Sequence, residues 1–218
     1  MFYRATRIGI LFLLSASVSH AQQTVAESAP AATNAKLVVT SAGNAATSDT
    51  TVVAGKDYSI KRAYQDVFEI LAAQNTCSDF YGSSRLATTV LKQLVGSVVH
   101  GTLPDFVSFQ MTGHARELRD PASGGVYRLF DRAIINPEGA FYLRRISPTQ
   151  RLPRNVGTFP PGTRPARALI LLHELGHLIK GSDGEWLLMN DGTDTWKSKE
   201  NTARIERACG AQLRVLAK

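Results

Sequence analysis

Two stretches in the first half of the chain place apolar residues three or four positions apart, with polar residues between them. They cover residues 57–74 and 84–99. The apolar positions are Ile60, Ala63, Val67, Ile70 and Leu71 in the first stretch and Leu86, Val90, Leu91, Leu94 and Val98 in the second. This spacing puts the apolar side chains on one face of a helix. The pattern therefore predicts two amphipathic helices that pack against a core.

Shorter runs rich in β-branched and aromatic residues follow these helices. They cover residues 106–111, 125–130, 132–136 and 139–143. Turn-forming pairs such as Asp120-Pro121 and Gly124-Gly125 separate some of them, and residues of these types end strands and favour tight turns. We expect four strands in a small antiparallel sheet.

A further stretch, residues 168–179, is mostly apolar and predicts a buried helix. Thr163 is a suitable N-cap for it, and Pro165 falls in the first turn, where its missing N–H costs no hydrogen bond. Gly181 is a natural end for this helix.

The order of the predicted elements gives an α+β fold class. Two helices come first, then the strands, then a Pro- and Gly-rich loop over residues 148–163 and the buried helix. A last helix is predicted over residues 198–216. Separate runs of helices and strands are typical of α+β domains, and about 160 residues are enough for a single core.

The N-terminus predicts export from the cytoplasm. Arg4 and Arg7 precede an apolar segment, residues 8–18, and the small residue Ala21 follows it. This is the pattern of a secretory signal peptide, and the apolar segment is shorter than the roughly 20 residues of a membrane-spanning helix. We expect cleavage after Ala21 and a secreted or periplasmic protein without a transmembrane segment. An uncleaved anchor is the alternative.

Residues 22–55 are rich in Ala, Thr and Ser and poor in large apolar side chains. Such a segment does not bury enough apolar surface to fold alone, so we expect a flexible tether with one short strand candidate at residues 37–40. The folded domain is expected over residues 56–218. The sequence leaves open whether the tether is also an inhibitory pro-segment.

Cys77 and Cys209 are the two cysteines of the chain. In an oxidising compartment such a pair forms a disulfide more often than two buried thiols, which is the competing interpretation. We expect a disulfide that ties the last helix to the N-terminal helices.

The buried helix carries the chemistry. Its residues His173-Glu174-Leu175-Gly176-His177 form an HExxH motif, and residues four apart on a helix share one face. The two imidazoles can therefore hold one metal ion, with Glu174 beside it. In this motif the chain resembles the zincin metallopeptidases. The resemblance implies a compact zincin-like domain, His173 and His177 as zinc ligands, and Glu174 as the catalytic base that takes a proton from a zinc-bound water.

A third ligand is needed to complete such a site, and several acids compete for the role. Asp183 lies six residues after His177, as in the metzincin pattern, although Gly181 falls one residue later than that pattern asks. The segment 190–194 resembles a ligand segment of the aspzincins, and gluzincins take a Glu from a later helix. The candidates are, in order, Asp183, Asp191, Asp194, Glu200 and Glu206.

Positive charge is concentrated before the motif. Residues 139–173 contain six arginines and no acid, namely Arg144, Arg145, Arg151, Arg154, Arg164 and Arg167. Loss of residues 1–21 removes two arginines and no acid, so the net charge falls from +7 to +5. The basic loop over residues 144–167 is either a solvated surface or a contact for an anionic envelope component. Because no aromatic residues interleave with these arginines as in base-stacking surfaces, we expect no nucleic-acid partner.

These features together predict a zinc-dependent peptidase that acts on a peptide or protein substrate. Residues 139–143 are the candidate edge strand for that substrate. The oxyanion donor is open among Tyr142, Arg144, Arg145 and His114, and His100 or His114 could instead be upstream metal ligands. Two alternatives remain: an amidase that cleaves envelope polymer such as peptidoglycan with the same site, and a binding protein whose metal is structural. Zinc is the default ion, although the same ligands bind other divalent ions.

Overall fold

A computed structural model describes residues 57–104, 107–142 and 154–218. The predicted signal peptide and tether therefore lie outside the described residues, as do Arg144, Arg145 and Arg151.

Three helices open the described part of the chain. They are α1 (Tyr58–Ala72), α2 (Thr76–Phe80) and α3 (Ser84–Gly96). Each begins at a polar N-cap, Asp57, Asn75 and Ser83 respectively, whose side chain accepts a hydrogen bond from the first turn. The two predicted amphipathic helices are thus confirmed, except that the second ends at Gly96 and its last predicted residues begin a strand. The short α2 was not predicted.

Five strands form two small sheets in the part of the chain that the structure describes. They are β1 (Val98–His100), β2 (Phe109–Thr112), β3 (Arg116–Arg119), β4 (Val126–Leu129) and β5 (Arg132–Ile135). The first sheet has the order β1-β5-β2, in which β1 runs parallel and β2 antiparallel to β5. The second is the antiparallel β3-β4 hairpin. The predicted single antiparallel sheet is therefore wrong in its pairing, because β1 returns from α3 alongside β5.

The predicted edge strand at residues 139–143 is also wrong for the residues that the structure describes. Residues 139–142 form tight turns, in which Gly139 N donates to Asn136 O at 3.1 Å and Tyr142 N donates to Gly139 O at 3.1 Å. Phe141 is fully buried there. The burial of this aromatic side chain favours a compact turn over an extended edge.

The motif helix α4 (Arg164–Gly176) begins as predicted. Thr163 is its N-cap and Pro165 lies in the first turn. The helix ends at Gly176 with His177 as the C-cap, well before Gly181. After His177 the backbone pairs with β4 instead, since Arg128 N donates to Leu178 O at 2.8 Å.

The last helix, α5 (Thr195–Val215), packs on α4. Both α1 and α3 also contact α4, so the motif helix lies at the centre of the core. The expected disulfide between Cys77 and Cys209 is present and joins α2 to α5. No helix among the described residues is long and apolar enough to span a membrane.

Candidate metal centre

The helix α4 places His173 and His177 on the same face, one turn apart. Both side chains are buried, and their Nε2 atoms lie 3.1 Å from each other. Because imidazole nitrogens in a largely apolar helix would be costly to bury without partners, this face of α4 needs a polar partner from another part of the chain.

Asp191 supplies that partner. Its Oδ2 lies 3.0 Å from His173 Nε2, and its Oδ1 lies 3.4 Å from His177 Nε2. One ligand atom from each of the three residues falls within 4.8 Å of the others. The structure thus brings two imidazoles and one carboxylate to a single point.

The spacing of these donor atoms can be compared with that of a tetrahedral metal site, for which zinc gives the reference distances. With Zn–N bonds of about 2.0–2.1 Å and Zn–O bonds of about 2.0–2.2 Å, neighbouring donors of a tetrahedral site are about 3.3–3.5 Å apart. His173 Nε2 lies 3.0 Å from Asp191 Oδ2 and 3.1 Å from His177 Nε2, a few tenths of an ångström less than such an edge. The 3.4 Å separation joins His177 Nε2 to the other carboxylate oxygen, Oδ1. Both carboxylate oxygens of Asp191 thus lie close to an imidazole nitrogen, and the three residues could hold a divalent metal ion.

A loop of the chain carries Asp191 back to α4. Leu188 N donates to Gly176 O at 3.0 Å, which fixes the start of this loop against the end of the helix. The approach is close: a Cβ at Gly176 would lie 2.7 Å from Leu188 Cδ1 and Cγ. The glycine inside the HExxH motif therefore makes room for the loop that brings the third donor.

Two neighbouring residues of α5, Asn201 and Thr202, form hydrogen bonds with side chains of this group. Thr202 Oγ1 lies 3.0 Å from His173 Nδ1. Asn201 Nδ2 donates to Met189 O at 2.9 Å and to Asp191 Oδ2 at 3.4 Å. Sequence reasoning missed both residues, because only the packing of α5 on α4 places them near the motif.

The electrostatics of the site follow from burial and from the opposite charges within it. Burial raises the pKa of Asp191, but hydrogen bonds from His173 and His177 outweigh that effect and hold the pKa far below its usual value. Burial lowers the pKa of His177, but the hydrogen bond to Asp191 and the charge of Glu174 raise it above its usual value. The carboxylate of Asp191 is therefore ionised, as a metal ligand has to be.

Glu174 lies beside this group. Burial raises the pKa of its carboxyl, the charges of His173 and His177 act against that rise, and the charge of Asp191 adds to it. No described residue makes a hydrogen bond or ion pair with the Glu174 carboxylate. Its oxygens are thus free, among the described residues, to bind a molecule at the centre.

The acid ranked first as third ligand is not part of this group. Asp183 is exposed, and its Oδ1 accepts a hydrogen bond from Glu185 N at 3.1 Å in a tight turn. The group of possible donors therefore contains the second-ranked Asp191 and not Asp183, because the chain makes that turn before it returns to α4.

The three remaining acids also lie outside this group of donors. Asp194 caps the first turn of α5, Glu200 is exposed on that helix, and Glu206 accepts a hydrogen bond from Thr158 Oγ1 at 2.6 Å. None of them belongs to the group of donors around His173 among the described residues.

The upstream histidines have other partners. His100 Nε2 lies 2.8 Å from Tyr142 Oη and 3.1 Å from Asp57 Oδ2, and Tyr142 Oη donates to the same Asp57 oxygen at 2.6 Å. His114 is 98% exposed and lies 3.5 Å from Asp131. The structure therefore gives no support to either histidine as a ligand, and it places Tyr142 in a surface network at the start of α1.

Two arginines of the predicted basic loop have internal partners. Arg164 binds the buried carboxylate of Asp66 through two hydrogen bonds of 2.7 and 3.1 Å, and Arg167 Nε donates to Phe141 O at 2.9 Å. Arg154 is exposed. Arg164 and Arg167 are therefore tied to other parts of the fold by hydrogen bonds.

Comparison with family models, with curated proteins and with solved structures gave no match for this chain. The α+β architecture and the His173, His177 and Asp191 group are consequently the observations from which its function has to be inferred.

Proposed function

We propose that this chain is a zinc-dependent peptidase in which His173, His177 and Asp191 hold the metal and Glu174 is the catalytic base. The convergence of the three donors next to Glu174 is the observation that carries the proposal. Three protein donors leave a fourth position of a tetrahedral ion for water or substrate, as in catalytic zinc sites.

In this proposal three residues bind the metal, and Glu174 transfers the proton. When bound, zinc supplies a Lewis acid that polarises a carbonyl and makes water more acidic. Glu174 accepts the proton from the attacking water and passes it to the leaving amine, which needs an ionisable group without a permanent partner. Its position directly after His173 keeps the carboxylate beside the reacting atoms without using it as a ligand.

The donor set alone does not distinguish zinc from other divalent ions, and it is the glutamate of the HExxH motif that favours zinc. Two imidazoles and one carboxylate also suit Fe(II) in oxygen-activating sites. An adjacent glutamate that is free to move a proton favours hydrolysis, and hydrolysis favours zinc. Export through the N-terminal signal peptide, residues 1–21, would place this activity in the periplasm or outside the cell.

The test combines metal content with turnover on the full chain purified after export. We expect one zinc per chain in the parent protein and in Glu174→Gln, with casein hydrolysis in the parent only. Glu138→Gln is a matched control, because Glu138 is an exposed glutamate outside the site, and it should behave as the parent. Iron in place of zinc would reject the peptidase.

Parallel digestion of purified peptidoglycan separates the two hydrolase hypotheses. Release of peptides from peptidoglycan with no action on casein would favour the envelope amidase. One bound zinc without turnover on either polymer would favour a metal-stabilised binding protein. Absence of metal after addition of zinc to the folded protein would show that the motif is an ordinary helix.

A further inference from the structure

We infer that Thr202 on the C-terminal helix α5 is a positioning residue, which sets the tautomer and orientation of His173 so that its Nε2 faces the metal. The inference rests on the proposed metal site and adds to it a residue that is neither a ligand nor part of the motif.

The directions of the two hydrogen bonds at Thr202 Oγ1 are the first observation behind this inference. Thr202 Oγ1 donates to Ser198 O at 2.8 Å, one turn earlier in α5. A hydroxyl has a single hydrogen, so the contact of 3.0 Å with His173 Nδ1 requires the imidazole to donate and the hydroxyl to accept.

The consequence for His173 follows from the chemistry of imidazole. A neutral imidazole carries its hydrogen on one nitrogen and a lone pair on the other. Without a metal, Nε2 can carry a hydrogen that it donates to Asp191. For Nε2 to bind a metal it has to present its lone pair, and a hydrogen held on Nδ1 leaves that lone pair on Nε2, the nitrogen that faces Asp191 and His177. Thr202 therefore selects the form of His173 that can bind a metal.

Asn201 supports the third ligand from the same turn of the helix. It is 6% exposed, and its amide Nδ2 has two hydrogens for the two acceptors around it, Met189 O and Asp191 Oδ2. The backbone and the carboxylate of the returning loop are thus fixed to one side chain. Adjacent residues of α5 hold one ligand from α4 and one ligand from the loop.

The helix that carries these contacts is itself fixed to the N-terminal part of the fold. Cys209 is bonded to Cys77, and Thr76 Oγ1 donates to Ala208 O at 2.7 Å. Because α5 is anchored in this way, Thr202 and Asn201 are held at a defined distance from α4.

The test measures zinc affinity by competition with a chromophoric chelator, beside thermal unfolding of the metal-free protein. Thr202→Val keeps the shape of the side chain and removes the acceptor, and we expect it to weaken zinc binding by about 10- to 100-fold. Thr202→Ser restores the hydroxyl and should bind zinc within a few-fold of the parent.

A matched control separates this effect from ordinary helix destabilisation. Thr88 in α3 makes the same type of bond, from Oγ1 to Ser84 O at 2.7 Å, away from the donors. We expect Thr88→Val to change unfolding without changing zinc affinity. If Thr202→Val does not fold, Thr202→Ala removes the same acceptor with a better helix former.

Parent-like zinc affinity in the folded Thr202→Val or Thr202→Ala variant would overturn the inference while the metal site itself stands. A parent protein that binds no zinc would instead reject the proposed function, and the inference with it.

Discussion

Replacement of Asp191 by Asn is the most direct test of the site, with Asp183→Asn as its matched control. Both changes remove one carboxylate and keep the shape of the side chain. Asp191 lies 3.0 Å from His173 Nε2, whereas Asp183 is exposed and accepts a hydrogen bond from a backbone N–H. An asparagine oxygen can also accept that bond, so Asp183→Asn should leave the turn intact.

The expected size of the effect comes from the role of each group. Loss of a residue that only supports a ligand typically lowers metal affinity by about 10- to 100-fold. Asp191 is the one carboxylate in the described group of donors, so its loss removes both a bond and the negative charge that balances the ion. We therefore expect Asp191→Asn to weaken zinc binding by more than about 100-fold, or more than about 2.7 kcal/mol.

The assay is zinc titration against a chelator of known affinity, with circular dichroism to confirm folding of the metal-free variants. Parent-like affinity in Asp191→Asn, together with a large loss in Asp183→Asn, would refute the assignment and return the third ligand to the first-ranked acid. A loss in both variants would show that the turn and the loop act together.

Three further predictions concern the elements around the site. The 132-residue separation of Cys77 and Cys209 corresponds to about 5 kcal/mol of loop entropy, by which the disulfide should stabilise the fold. Urea unfolding of the oxidised and the reduced protein measures this difference in the free energy of unfolding, and a difference under about 1 kcal/mol would contradict the prediction. A methyl group on Gly176 meets buried Leu188, so Gly176→Ala should destabilise the protein by about 1–3 kcal/mol; thermal unfolding of this variant, of Leu188→Ala and of the double variant should show coupling, not additive losses. Burial raises the pKa of Asp57, but its hydrogen bonds outweigh burial and lower the pKa in the folded protein. The ionised carboxylate therefore stabilises the fold above its ordinary pKa, about 4, and this stabilisation is lost as the pH falls through the lower pKa of the folded state. The difference in melting temperature between the parent and Asp57→Asn should shrink from pH 6 to pH 3, and a constant difference would contradict this prediction.

Elements with a repeated apolar spacing could be predicted from the sequence. The helices α1 and α3 follow their apolar spacing, and α4 begins at its predicted cap Thr163. Both α3 and α4 end three residues before the predicted end, and α5 starts three residues before the predicted Ser198. These predictions succeed because the signal lies within one segment: the apolar face and the capping side chain are local properties of the chain.

Elements that depend on a distant partner could not be predicted in this way. All four residues of β3 are exposed, so it shows no alternation, and it is a strand because it pairs with β4. Val98–His100 continues the apolar spacing of α3 but leaves the helix to pair with β5. In both cases the tertiary partner decides the conformation of a short segment whose own preference is weak.

The same distinction between local signals and distant partners explains which residues of the candidate site could be predicted. His173, Glu174 and His177 could be identified because one helical turn sets their spacing. The acid that lies beside them could not be identified, because the point at which α4 ends decides which acid comes back to the helix. The chain leaves the helix at His177 and pairs with β4, and Gly184 with a φ of +82° closes the turn that holds Asp183 outward.

The return of the chain to Gly176 then places Asp191, not Asp183, opposite the imidazoles. Leu188 N bonds to Gly176 O, three residues before Asp191, so the loop is aligned by the small residue inside the motif itself. The lack of a side chain at Gly176 makes room for the loop, and the loop carries the carboxylate that lies beside His173 and His177. A pattern that counts residues from the second histidine selects Asp183 instead, whereas this loop is positioned by the contact of Leu188 with Gly176.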